Sequence, residues 1–144
     1  MIESDTIKLL RECDQGIAMG ISSIDDVVDH VTKEELREYL ISCKRKHLIL
    51  KDEIKDILMD YGVEGKDPNF FAKNMSSMKT NIKLAMNDSL NRIADLMIDG
   101  CNMGIKSLSK FLNEYQYAND NAKDICKRLI ALEEELSVNI RKYL

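Results

Sequence analysis

Four long segments of this chain carry apolar residues at alternating intervals of three and four, a spacing that long helices packed side by side at shallow angles can bury. The first segment runs through Ile7, Leu10, Asp14, Ile17, Ile21, Ile24, Val28 and Val31, with Asp14 as its polar interruption. The second holds Leu36, Leu40, Cys43, His47, Leu50, Ile54, Ile57 and Tyr61, and His47 is its only ionisable member besides the weakly acidic Cys43 and Tyr61. The third consists of Ala94, Met97, Cys101, Gly104, Leu108, Phe111 and Tyr115, flanked by Leu90, Ile93 and Leu112. The fourth, Ala122, Ile125, Leu129, Leu132, Leu136, Ile140 and Tyr143, reads as unbroken. One proline in 144 residues leaves these stretches uninterrupted, because proline is the residue that most reliably breaks a helix. The class is all-α, and the length suits a single domain spanning 1–144.

Local chemistry marks the ends. Ser4 or Asp5 can cap the first helix, and Thr32 followed by Glu35 has the spacing of a capping box for the second. Almost no chain remains between those two helices, so they must be antiparallel neighbours. Gly62 and Gly65 close the second helix, Asp67-Pro68 restarts the chain, and Asn119-Asp120-Asn121 separates the third helix from the fourth. The expected helices cover about 5–31, 33–61, 89–116 and 120–143.

The connection from Gly62 to Ser89 is too long for a tight turn, and it has its own amphipathic stripe: Phe71, Met75, Met78, Ile82 and Met86. A crossover helix over 69–86 would span roughly 25 Å at 1.5 Å per residue, most of the length of a neighbouring helix. An up-down-up-down bundle has no use for such a segment. A ferritin-like bundle, in which helices two and three run parallel, requires one. The expected fold is therefore a ferritin-like four-helix bundle with an extra short helix in the crossover between helices two and three.

Composition excludes several function classes. Lys and Arg number 21 against 25 acidic residues, for a formal charge of −4, whereas nucleic-acid binding needs a basic surface. The Lys44–Lys46 run with Lys51 and Lys55 is too short and too mixed with acids to change that. No stretch approaches the 18 or so apolar residues of a membrane span. The first residues carry no basic-then-apolar leader, so a cytoplasmic location is expected. The four dispersed cysteines, Cys13, Cys43, Cys101 and Cys126, are then expected as buried thiols rather than a disulfide framework. Methionine at helical spacing reads as core filler before it reads as a partner-binding groove.

The fold raises the question of a di-iron centre, which takes one inward Glu from each of two helices and an E-x-x-H motif from each of the other two. Lys44 stands where the first motif needs Glu, with His47 in place, and Glu133-Glu134-Glu135-Leu136 has acids but no histidine. No metal, cofactor or catalytic residue is expected on these grounds, and no nucleophile elbow, phosphate loop or zinc spacing is present. The alternative is a mononuclear metal or small-ligand site. Counting from the shared end brings Asp14, Cys43, His47 and Cys101 to similar levels, and Cys43 and His47 lie one turn apart. The plainer reading of the same residues is a buried Asp14–His47 pair setting helix register beside two core cysteines. Gly16 and Gly20 in the first helix, and Gly100 and Gly104 in the third, each weaken a helix by about 1 kcal/mol relative to Ala. They imply close backbone approach, room for bulky neighbours, or a small internal cavity.

The segment Ile93-Ala94-Asp95-Leu96-Met97-Ile98-Asp99-Gly100-Cys101-Asn102-Met103-Gly104-Ile105-Lys106-Ser107-Leu108 resembles a group of bacterial ferritin-like four-helix proteins that form a domain family of unknown function. The likeness extends over most of the chain in helix order and length. Spore-coat-like bundles share the same architecture. The resemblance supplies no reaction, and the function expected is that of a non-enzymatic bundle acting through protein association, including self-association, or in stress or spore physiology.

Overall fold

The computed structural model describes residues 4–63 and 90–144. Its long elements are α1 (Asp5–Val28), α2 (Glu34–Asp60), α3 (Leu90–Glu114) and α4 (Asp120–Asn139), followed by a short 3₁₀ turn at Arg141–Tyr143. There is no strand among the described residues. The expected crossover helix at 69–86 lies outside them.

Cap chemistry explains most of the boundaries. The Ser4 hydroxyl accepts a hydrogen bond from the Ile7 amide at 3.3 Å, and the Asn119 side chain accepts from Ala122 N–H at 2.9 Å. Each satisfies one of the donors that a helix N-terminus leaves free. At the far end of α2, Gly62 adopts φ +69°. There Val63 N–H donates to Leu58 C=O and Gly62 N–H to Met59 C=O, both at 2.9 Å. These two bonds form a Schellman closure, which needs a left-handed residue that glycine supplies without strain. The expected capping box at Thr32 does not form. α2 begins after Lys33 with no side-chain cap, and Glu34 and Glu35 occupy its first turn. Two carboxylates against the positive end of the helix dipole supply the stabilisation instead.

Ion pairs fix the helix directions. Asp25 pairs with Lys44 and Asp14 with Lys51, so α1 and α2 are antiparallel. Glu35 with Lys142, Lys46 with Glu135 and Glu53 with Arg128 make α2 and α4 antiparallel. The Cys126 thiol donates to Leu108 C=O, while Ile93, Ala94 and Met97 pack in one cluster with Leu136 and Ile140, so α3 and α4 are also antiparallel. α2 and α3 therefore run the same way. They stand on opposite corners of the bundle, meeting only through core side chains, whereas the α1 and α4 backbones approach across the other diagonal. The bundle is a rhombus in cross-section.

Apolar side chains fill it in two clusters. One gathers Ile24, Val27, Leu36, Leu40, Ile93, Met97, Leu136, Ile140 and their neighbours. The other gathers Leu9, Leu10, Ile17, Leu50, Ile54, Leu108, Ile125, Leu129 and theirs. Residues such as Leu9, Leu10, Ile17 and Leu40 are sealed from solvent, a burial that stabilises by about 1.5–3 kcal/mol per side chain. No helix among the described residues is long and apolar enough to cross a membrane.

Candidate functional site

Between the two clusters lies a polar layer to which each helix contributes one position. Gly20 falls between Ile17 and Ile24 of α1, and His47 between Cys43 and Leu50 of α2. Gly104 falls between Cys101 and Leu108 of α3, and Glu133 between Leu129 and Leu136 of α4. His47 Nε2 is 3.1 Å from Glu133 Oε1, with His47 1% and Glu133 9% exposed. The glycines make the room. A Cβ at position 20 would stand 3.1 and 3.2 Å from the imidazole, and one at position 104 would stand 3.6 Å from Glu133 Oε2.

Hydrogen bonding dictates the protonation of the pair. His47 Nδ1 lies 2.7 Å from the Cys43 carbonyl, one turn back along α2. A carbonyl only accepts, so Nδ1 carries a proton. With Nδ1 protonated, a neutral ring would turn the Nε2 lone pair toward a carboxylate oxygen, setting acceptor against acceptor. The bond needs one proton between Nε2 and Oε1, and a His47 pKa raised above its ordinary value keeps it on Nε2, giving an imidazolium facing a carboxylate. Burial works against that charge, but the Glu133 hydrogen bond, the Cys43 carbonyl and the Glu133 charge together outweigh it. The net effect is a His47 pKa above its ordinary value of 6.5. The Cys101 thiol lies against the same carboxylate. Burial first, then the Glu133 charge and a hydrogen bond to it, push that thiol up. Burial likewise raises Cys43. A thiol so disfavoured as thiolate is a poor nucleophile and a poor ligand.

The sequence-derived layer is thus corrected. Cys43 and Cys101 belong to the apolar cluster on one side of His47, and Asp14 does not join them. Its carboxylate receives the Lys51 ammonium at 3.0 Å on a partly exposed flank. The partner of His47 is Glu133, so the Asp14–His47 pair expected from counting does not exist. The cause is a rotation of two seams. On α1 the inward positions are Cys13, Ile17, Gly20, Ile24 and Val27, where bulk selects Ile21 and Val28 as neighbours of Ile17 and Ile24 and the spacing of three and four then carries Asp14 with them. On α4 the inward residue is Glu133, with Leu132 only half-buried beside it, so the fourth stripe does have a polar break. The signal that could have found this was the pairing of unoccupied volume with excess volume: helix-interior glycines facing a histidine and a glutamate.

All four cysteines are buried and free. Cys13 and Cys126 meet each other, thiol to thiol, in the second cluster, away from the layer. Among the described residues, no three His, Cys, Asp or Glu side chains are grouped so as to hold a metal ion. Two surface hollows, one lined by Asn91, Arg92, Asp95 and Leu144 and the other by Glu35, Tyr39, Val138, Asn139, Lys142 and Tyr143, lie near the helix ends. Neither opens on the layer. Comparison with models of known protein families, with curated proteins and with solved structures finds no match.

Proposed function

We propose that this chain is a ferritin-like bundle whose interior does structural rather than chemical work, and that it acts through association with protein. The observation that carries the reading is the direct 3.1 Å bond between His47 and Glu133. A di-iron bundle supplies E-x-x-H from two helices and a single Glu from each of the others. Here α2 offers Lys44 with His47, and α4 offers Glu133 with Leu136, so each retains half a motif. The two retained halves bond to each other, and the layer positions on α1 and α3 are glycines. The parallel course of α2 and α3 supports the ferritin-like arrangement, in which one long crossover joins two antiparallel hairpins. A domain family of that kind in bacterial stress or spore physiology is the setting the sequence resemblance suggests.

A second reading, in which the layer binds a metal or small ligand, draws on His47, Cys43 and Cys101 with Glu133 replacing Asp14. In its favour, the Cys43 carbonyl orients the imidazole as outer partners of metal-bound histidines do. Metal analysis separates the two. Untagged protein incubated with iron(II), manganese(II) or zinc(II) and then desalted should retain far less than one ion per chain. About one ion per chain, lost in His47→Ala, would select the second reading.

A further inference from the structure

Among the described residues, the outward face of α2 has no partner. Its two flanks are tied to the neighbouring helices, through Lys44 and Lys51 to α1 and through Lys46 and Glu53 to α4. Between those flanks Leu48 is 40%, Ile49 63% and Met59 65% exposed. Arg45 and Asp52, both exposed, bracket the apolar pair, and among the described residues neither makes an ion pair. They cannot pair with each other, because seven residues separate them by about 10 Å along the helix.

We propose that α2 docks antiparallel against α2 of a second copy of this chain, about a twofold axis passing between Leu48 and Ile49. The proposal rests on the reading that this bundle works through protein association, and it names the partner. The argument is charge complementarity under that one symmetry operation. Arg45 and Asp52 lie equally far on either side of the axis, about 5 Å by helical rise, and on nearly the same side of the helix. The twofold therefore sets Arg45 of each copy level with Asp52 of the other, forming two equivalent ion pairs from side chains that have none with the described residues of their own chain. The same operation brings Leu48 against Leu48 and Ile49 against Ile49 at the centre. Farther out, Ile41 comes within reach of Met59 of the other copy, less than one turn off level, and Glu38 comes within reach of Asp56 at the same offset, so the complementary charge is confined to the two Arg45–Asp52 pairs. Any isologous contact must be self-complementary in this way. The surface also has the usual interface pattern, an apolar centre with charges at its rim. One helix face buries less than the roughly 800 Å² per partner of a standard interface, so the expected affinity is micromolar.

Sedimentation equilibrium over a range of concentrations, at low and high salt, tests this on the full chain. The wild type should pass from monomer to dimer with loading, and added salt should weaken the dimer. Arg45→Glu alone and Asp52→Arg alone should each weaken it at least tenfold. An equimolar mixture of the two variants should recover it as a heterodimer. There the carboxylate introduced at position 45 of one chain meets the guanidinium introduced at position 52 of the other, while the unaltered Arg45 and Asp52 still face each other. Circular dichroism identical to wild type would show that both variants are folded. A wild type that stays monomeric at high micromolar loading overturns the proposal, leaving the face to a different protein. A dimer indifferent to both reversals, or a mixture that fails to recover it, overturns it equally. None of these outcomes bears on the metal analysis of the interior, so the two readings fail separately.

Discussion

Replacing His47 with leucine should cost more stability than replacing Glu133 with leucine, and replacing both should cost least. In His47→Leu the Glu133 carboxylate keeps its burial, at 9% exposure, and loses the cation that compensates it. Stranding one half of a buried ion pair destabilises by about 3–5 kcal/mol. In Glu133→Leu the imidazole has an escape: it can release its Nε2 proton and retain the Nδ1 bond to the Cys43 carbonyl. The loss is then closer to that of a neutral hydrogen-bonding group deprived of one partner, about 1–3 kcal/mol. The double variant removes both charges and fills the layer with apolar volume, and it should lie within about 1 kcal/mol of wild type or above it. Urea unfolding followed by circular dichroism measures all three. With a slope of about 2 kcal/mol per molar urea, typical for a small domain, His47→Leu should lower the midpoint by about 1.5–2.5 M. Additive single and double changes, or two single variants within about 0.5 kcal/mol of wild type, would show that the pair is not coupled in solution and refute the reasoning.

The pH dependence follows from the same bond. The folded state holds the His47 proton more tightly than the unfolded chain does, so the native state binds more protons and stability must fall as pH rises. The contribution is fully present below about 6.5 and is lost as pH climbs through the raised folded value. Urea midpoints should decline as pH rises above about 6.5 in wild type, and less so in the double leucine variant, and a wild-type midpoint that increases there would contradict the sign. The glycines should separate by position. Gly100→Ala meets open space and should stabilise by up to about 1 kcal/mol through helix propensity. Gly20→Ala drives a methyl to 3.1 Å from the His47 ring and should destabilise by about 1–3 kcal/mol through overpacking. Equal thermal shifts for the two variants would mean that position 20 is not packed against the histidine.

The four helices were legible because bulky residues mark a seam strongly when they recur along a whole helix. The α2 stripe from Leu36 to Ile54 is buried at every member, and the third stripe holds at Ala94, Met97, Cys101 and Leu108. The parallel course of α2 and α3 was expected from the length of chain between Gly62 and Ser89 together with the stripe from Phe71 to Met86, and the ion pairs with the packing of α3 on α4 give the same directions. The layer was not. A seam of period near 3.6 offers two adjacent residues at many levels, and hydrophobic bulk prefers Ile21 to Gly20 and Leu132 to Glu133. At this level the packing makes the opposite choice, because His47 is too large to face another isoleucine and too polar to face a leucine. The α2 start was misread for a local reason. The Thr32 and Glu35 spacing matches a capping box, yet the helix begins at Glu34 and draws on charge instead.

The layer also explains why the bundle has one register, and the explanation can be tested apart from stability. Sliding α4 by one turn along α2 would bring Glu133 level with either Cys43 or Leu50 and strand both members of the pair. It would also misalign Lys46 with Glu135 and Glu53 with Arg128, but those pairs are exposed and worth no more than about 1 kcal/mol each. Apolar neighbours on either side offer little resistance, since leucine packs on leucine at several offsets. A buried charge opposed by one countercharge on the neighbouring helix penalises every offset but one, the best-attested use of such groups. The double variant His47→Leu, Glu133→Leu should therefore stay within about 1 kcal/mol of wild-type stability, or above it, while losing uniqueness. Amide NMR should then show broadened or doubled resonances for α2 and α4, with faster hydrogen exchange at Cys43 to Leu50 than global stability allows. A double variant with a single sharp spectrum and wild-type protection would place the register in the apolar packing and leave the buried pair without that role.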